Sequence, residues 1–294
     1  MAARIGGVFD RKEEVTERLQ QAPGAQAQQE KAVTVDGPPP SRWDLRTIRV
    51  TFSWLRNYSL SGVWRLLDSY DLRPRSARVQ LYSPDPEYIS KVAYLHQCLR
   101  EAVLAPDKIV FVFWDEMGYY RWPDPAPDWG LAAPAAAPVA RRGGSNNKQW
   151  RIIGALNATT GQVDYLDNYI AGRKQIIQMY RQLDEVYSWA EQVYVAQDNW
   201  SIHKHEDVLA ALVDLPRIQP VWLPTYAPWL NPIEKLWRWL RQDVLKMHRL
   251  ATDWEELRRR VNSFLDQFRS GCRDLLRYVG LLGDGKLARV LRGE

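Results

Sequence analysis

Three short runs rich in β-branched and aromatic residues, KIVFVFWDE at 108–116, VYVAQD at 193–198 and IQPVWLP at 218–224, are separated by stretches whose apolar residues recur with helical spacing. Runs of this kind make strands buried on both faces, and such strands alternating with helices require a sheet covered by helices. Further strands are expected at 119–122, 150–156 and 162–166, the last two joined by the turn NATTG, so the sheet begins as an antiparallel meander. Helices are expected over 172–190, over 205–212 and from Pro232 onward. The pattern describes an α/β domain with a mixed sheet flanked by helices.

The chain ahead of this domain reads differently. Residues 1–41 carry QQAPGAQAQQEK and DGPPPS, a composition that buries little apolar surface and is expected to form an arm and linker. From residue 42, Trp43, Leu45, Ile48, Phe52 and Leu55 fall near one helical face; Asn57-Tyr58-Ser59 interrupts the pattern, and Leu60, Val63, Trp64, Leu66 and Leu67 resume it. Ser59 or Ser61 caps the second helix, and Arg56, Arg65, Arg73, Arg75 and Arg78 cluster on it and around it. A helix-turn-helix over 42–85, with flanking arginines on phosphates, fits these residues. A helical hairpin with a solvated basic face fits them equally. A connecting helix over 86–106 leads into the domain at 107–270, with 271–294 as a tail.

Forty Lys and Arg against 35 Asp and Glu give +5, a balance that suits a polyanionic partner. Cys98 and Cys272 stand far apart with no C-x-x-C pairing, which argues against a disulfide framework or a structural zinc site and for a reducing compartment. No apolar run approaches the roughly 20 residues of a membrane span, so a soluble cytoplasmic protein is expected.

Chemistry is suggested by the carboxylates. Asp115 and Asp198 each close a strand, where side chains of neighbouring strands project into one cleft. Hard oxygen ligands suit Mg²⁺, and two such ions about 4 Å apart support an in-line phosphoryl displacement. Glu116 neighbours Asp115 on a strand and so points to the opposite face. Glu234 has two readings. In Asn231-Pro232-Ile233-Glu234 it is the third residue of a helix start with Asn231 as N-cap, with Arg238 as an i,i+4 ion partner; or it reaches the two aspartates as a third ligand. Asn199, His203 and Asn231 are expected to support the carboxylates; His203 and His205 are open to reading as metal ligands, but histidines beside a DNA cleft more often donate hydrogen bonds to phosphate.

The blocks FVFWDEMGYY, VYVAQDNWSIHKH and LPTYAPWLNPIEKLWRWLR resemble the catalytic core of the mariner-like insertion-sequence transposases, a superfamily named for its Asp-Asp-Glu/Asp triad. Asp198-Asn199 and Pro228-Trp229-Leu230-Asn231-Pro232-Ile233-Glu234 fill its second and third blocks, with 35 residues between the two carboxylates, and the likeness runs through most of 42–270. It implies an RNase H-like five-stranded sheet, the triad Asp115, Asp198 and Glu234, two Mg²⁺ or Mn²⁺ ions, and a homodimer joining two transposon ends in cut-and-paste transposition, with the DNA at the bacterial nucleoid. Two departures stand out. One helix-turn-helix is readable where the family has two, and the Ala- and Pro-rich segment 121–148 is long for a strand connection. The family's loop there reaches the partner subunit, and Arg141, Arg142 and Lys148 are expected DNA contacts; a disordered loop is the other reading. A DNA-binding protein descended from a transposase, or a nuclease that cuts without joining, are the alternatives.

Overall fold

The computed structural model describes residues 43–74, 82–129, 137–143 and 146–291. The expected arm at 1–41, together with Arg75 and Arg78, lies outside the described residues. The chain divides into two compact units, Met1–Gln80 and Leu81–Glu294.

In the first unit, α1 (Leu45–Thr51) is joined to α2 (Leu60–Ser69) through a short 3₁₀ turn, Ser53–Leu55. Each helix has a side-chain cap that satisfies an otherwise orphaned amide: Thr47 N donates to Asp44 Oδ1 at 2.8 Å, and Gly62 N to Ser59 Oγ at 3.1 Å. Ser59 is therefore the cap of the second helix. Ile48, Phe52, Trp54, Leu55, Val63 and Leu67 make the buried core of the pair.

The second unit begins with α3 (Tyr88–Leu104) and contains one five-stranded sheet in the order β3-β2-β1-β4-β5. The strands are β1 (Ile109–Tyr120), β2 (Gln149–Asn157), β3 (Val163–Asn168), β4 (Gln192–Gln197) and β5 (Ile218–Trp222). The first three are antiparallel; β4 and β5 run parallel to β1. The expected strand at 119–122 is not separate. Pairing with β2 continues from Val112↔Asn157 to Tyr120↔Gln149, so β1 runs unbroken past Asp115, which lies inside the strand rather than at its end. What stops near Asp115 is the parallel pairing to β4, whose last pair is Phe113↔Ala196.

Alternation along β1 divides the core in two, because successive side chains point to opposite faces. Phe111, Phe113, Met117 and Tyr119 join the larger cluster with α6 (Ile233–Leu240) and α7 (Trp254–Asp266). Val110, Val112 and Trp114 join the other, under α4 (Arg173–Val186), with Val208 of α5 (Glu206–Val213). The expected tail is also structured. In α8 (Arg273–Val279), Leu275, Leu276 and Val279 fall at helical spacing and are buried in the larger cluster with Leu281. Gly280, at φ 87°, ends that helix in the left-handed conformation glycine adopts without steric cost, and α9 (Lys286–Leu291) follows. No helix among the described residues is long and apolar enough to cross a membrane.

Candidate active site

Two residues beyond the last paired rung, Phe113↔Ala196, the register brings Asp115 level with Asp198, which follows directly on β4. Neighbouring strands lie about 4.8 Å apart, so the two carboxylates leave the sheet side by side. They differ in surroundings. Asp198 is largely open, with 58% of its side chain exposed. Its Oδ1 accepts the Trp200 amide at 2.9 Å, turning the chain away from the strand. Asp115 faces α6 and accepts Trp237 Nε1 on Oδ2 at 2.9 Å.

That indole reaches Asp115 because the residue opposite, Gly154 of β2, has no side chain. A Cβ there would stand 2.5 Å from Trp237 Cη2. The start of α6 is fixed on the same strand: Asn231, 5% exposed, donates Nδ2 to the Trp114 carbonyl at 2.9 Å. This removes the capping-box reading. Pro232 occupies the N-cap position with no side-chain cap bond, Asn231 Oδ1, the atom that would cap, accepts no hydrogen bond, and the Glu234 carboxylate accepts none either among the described residues. Asn231 instead tethers the first turn of α6, which carries Glu234, beside Asp115.

Asp115, Asp198 and Glu234 line one cavity of about 520 Å³, with Asn199, Trp200, Tyr226 and the Leu223–Pro228 loop. A second cavity of about 330 Å³ shares Asp115 and Glu234 with it and adds Glu116, Arg238 and Arg241. Burial, with Glu234 and then Glu116 nearby, holds the Asp115 carboxyl well above the ordinary range. Glu234 is open to the cleft on one side. Contact with protein on the other pushes it up, Arg238 and Arg241 pull it down, and Asp198 raises it. Carboxylates that raise one another's pKa in a shared cleft fit a hard, oxygen-seeking dication. Among the described residues, no three His, Cys, Asp or Glu side chains already stand together as one ion-enclosing group.

Of the expected supporting residues, Asn199 ties the two strand ends together: its Nδ2 donates to the Leu223 carbonyl at 2.5 Å, and its Oδ1 accepts Lys204 Nζ at 2.9 Å. His203 is fully buried behind Asp198. His205 is occupied elsewhere, beside Arg173 and at the start of α5, where its Nδ1 accepts the Asp207 amide. Arg56 and Arg65 are exposed in the first unit, and Arg73 pairs with Asp68 at 2.7 Å. Arg141, Arg142 and Lys148 are exposed outside the cleft lining, with Arg142 set over the Trp122 ring at 5.6 Å. The beginning of their loop is pinned to the π-helical turn Arg241–Leu245 and the residues after it, Asp124 N donating to the Leu245 carbonyl and Met247 N to the Asp124 carbonyl, both at 3.0 Å. Arg241 is a cationic cleft residue that sequence reasoning missed, and Arg238, expected only as an ion partner of Glu234, lines the cleft beside it. Their spacing from Glu234, four and seven residues along one helix face, is the signal that was available.

A mixed sheet in the order 3-2-1-4-5, helices on both faces and carboxylates gathered at the end of its parallel strands define an RNase H-like domain of the nuclease type. Residues 110–258 match the family described as DDE superfamily endonuclease, and the chain belongs to that family. It is 26% identical over 228 residues to the insertion element IS630 uncharacterized 39 kDa protein of Shigella sonnei, a match covering 77% of this chain and 64% of that protein. Its fold is similar to the Mos1 transposase paired-end complex with left transposon end (TM-score 0.54, 16% identity, 83% of this chain and 76% of that one). It is also similar to the Mos1 mariner paired end complex with Mn (TM-score 0.52, 15% identity, 83% and 76%).

Proposed function

We propose that the chain is a transposase that cuts DNA at the ends of an insertion element and joins the freed 3′ ends to target DNA. The observation that carries the reading is the cleft itself, where Asp115 and Asp198, level on neighbouring parallel strands, meet Glu234 in the first turn of a helix tethered to the same sheet. Asp115, Asp198 and Glu234 would hold Mg²⁺ or Mn²⁺, two ions in the full site. Bound dications neutralise phosphate charge and lower the pKa of the attacking water or hydroxyl.

The chain's own groups do the rest. Trp237 orients Asp115, Asn231 fixes the turn bearing Glu234, and Arg238 and Arg241 offer charge to phosphates entering beside it. In the first unit, α2 with Arg56 and Arg65 supplies the element-end contact, and a homodimer brings two ends together. The DNA partner places the protein at the nucleoid.

Asp198→Asn tests the reading, because the amide keeps the shape and loses the charge that holds a dication. Cleavage of DNA carrying the inverted repeats that flank the gene should be abolished, while its gel shift persists. Retained cleavage at ordinary Mg²⁺ removes Asp198 from the site. Cleavage by the parent chain without joined products would mark a hydrolytic nuclease instead.

A further inference from the structure

Behind Asp198, on the α4 face of the sheet, lies a polar group that the cleft chemistry leaves unexplained. His203 is 0% exposed, and neither ring nitrogen has a hydrogen-bond partner among the described residues. Buried polar groups of that kind are rare in native proteins and call for a reason. Nε2 stands 3.4 Å from Glu116 Oε1 and 3.8 Å from Asp198 Oδ1, just outside bonding range of both. The ring is held by two indoles that meet it edge-on, Trp114 and Trp200, each with centroids 5.9 Å away. Glu116 is held too, its Oε1 accepting Trp114 Nε1 at 2.6 Å.

We propose that Glu116 and His203 form a positioning pair for Asp198, with the single Nε2–H shared between the Glu116 carboxylate and Asp198 Oδ1. This rests on the reading of Asp198 as a metal ligand. The tautomer follows from the surroundings: both nearby carboxylates face Nε2, so the proton belongs there rather than on Nδ1. With Oδ1 held by the Trp200 amide and by His203, Asp198 keeps its other oxygen for the cleft, and Oδ2 accepts no hydrogen bond among the described residues. The alternation of β1 explains why Glu116 is the anchor. Pointing away from the Asp115 face, it reaches the histidine behind the neighbouring strand. The 3₁₀ turn Ser201–Lys204, which begins three residues after Asp198, returns the chain beneath the carboxylate it supports. Carboxylates that ligate metals are themselves hydrogen-bonded, and losing such a partner typically weakens metal binding by about 10- to 100-fold.

The test is Mn²⁺ binding by the full chain without DNA, read as free Mn²⁺ by electron paramagnetic resonance, alongside melting temperature. His203→Gln sets an amide nitrogen near the place of Nε2, and His203→Asn sets one near that of Nδ1. The expected result is Mn²⁺ affinity about tenfold weaker or more in His203→Asn, and within about threefold of the parent in His203→Gln. Glu116→Gln should weaken binding similarly and add little on top of His203→Asn, as coupled residues do. Equal affinity in both histidine variants, or additive losses with Glu116→Gln, overturns the proposal. If His203→Asn does not fold, unchanged affinity in Glu116→Gln alone overturns it. A parent chain that binds no Mn²⁺ overturns the ligand reading of Asp198, and this pair with it.

Discussion

Gly154→Ala adds one methyl group at a buried position in the middle of β2 and should damage both stability and cleavage. The new Cβ would lie 2.5 Å from Trp237 Cη2 and 2.9 Å from Cζ2, where ordinary contact begins near 3.4 Å. The indole must therefore retreat by about 1 Å, and it has little room, because Trp237 is buried in the main cluster with Ile233 and Leu236. Overpacking of this kind costs about 1–3 kcal/mol, which in a domain of this size lowers the melting temperature by roughly 2–12 °C. The same retreat stretches the Trp237 Nε1 to Asp115 Oδ2 bond from 2.9 Å to nearly 4 Å, beyond hydrogen-bond range. Misplacing a reacting group by about 1 Å can cost roughly 10²-fold in rate, so cleavage should fall by about that factor even well below the new melting temperature. Trp237→Phe, which deletes the donor without adding bulk, should reproduce the loss of cleavage. Calorimetry and a single-turnover cleavage assay on the same preparations decide the matter. A variant that melts and cuts like the parent would show that Trp237 does not depend on the missing side chain.

The pH dependence has a definite sign. Burial and the neighbouring Glu234 and Glu116 hold Asp115 above its unfolded value, so between the unfolded and folded values the folded metal-free chain carries a proton the unfolded chain has released, and this site should gain stability as pH falls through that window toward about 4. Mg²⁺ should oppose that trend, raising the melting temperature more at about pH 7.5 than at about pH 5.5; an equal rise at both, or the same rise in Asp198→Asn, would locate the binding elsewhere. Glu234→Gln removes a charge that burial disfavours from a side chain that caps nothing, so its melting temperature without metal should match or exceed the parent's while cleavage is lost, and Glu234→Asp should leave weak cleavage that Mn²⁺ partly restores. Normal cleavage in Glu234→Gln would exclude Glu234 as a ligand.

Local periodicity made the strands and the helix of Glu234 legible, and the carboxylates stood out because each follows or closes an apolar run. What lay beyond reach was decided across the sheet. Nothing near Asp115 says that β2 keeps pairing as far as Tyr120, because that depends on residues 149–157. Asn231 looked like a helix cap because its neighbours Pro232 and Glu234 suit one; its Oδ1 caps nothing, and its Nδ2 reaches Trp114, 117 residues away. Gly154 reads as an ordinary strand glycine until Trp237 is seen in its space. The last helices were read as a tail, yet Leu275, Leu276 and Val279 are buried in the main cluster.

The uninterrupted course of β1 also bears on how this chain can change length. Between the carboxylates, insertions fall in turns and loops and can be absorbed at modest cost. Inside β1 parity rules out any odd change, and an even one carries Asp115 two rungs off the level of Asp198. One residue added or lost between Ile109 and Asp115 would reverse every side chain downstream, trading the Asp115 position for that of Trp114 or Glu116 and turning a core row toward the wrong helices. Such a change would not weaken the site by degrees. Length variants of this chain that still cut DNA should therefore keep β1 at constant count and carry their insertions elsewhere, the segment 121–148 foremost.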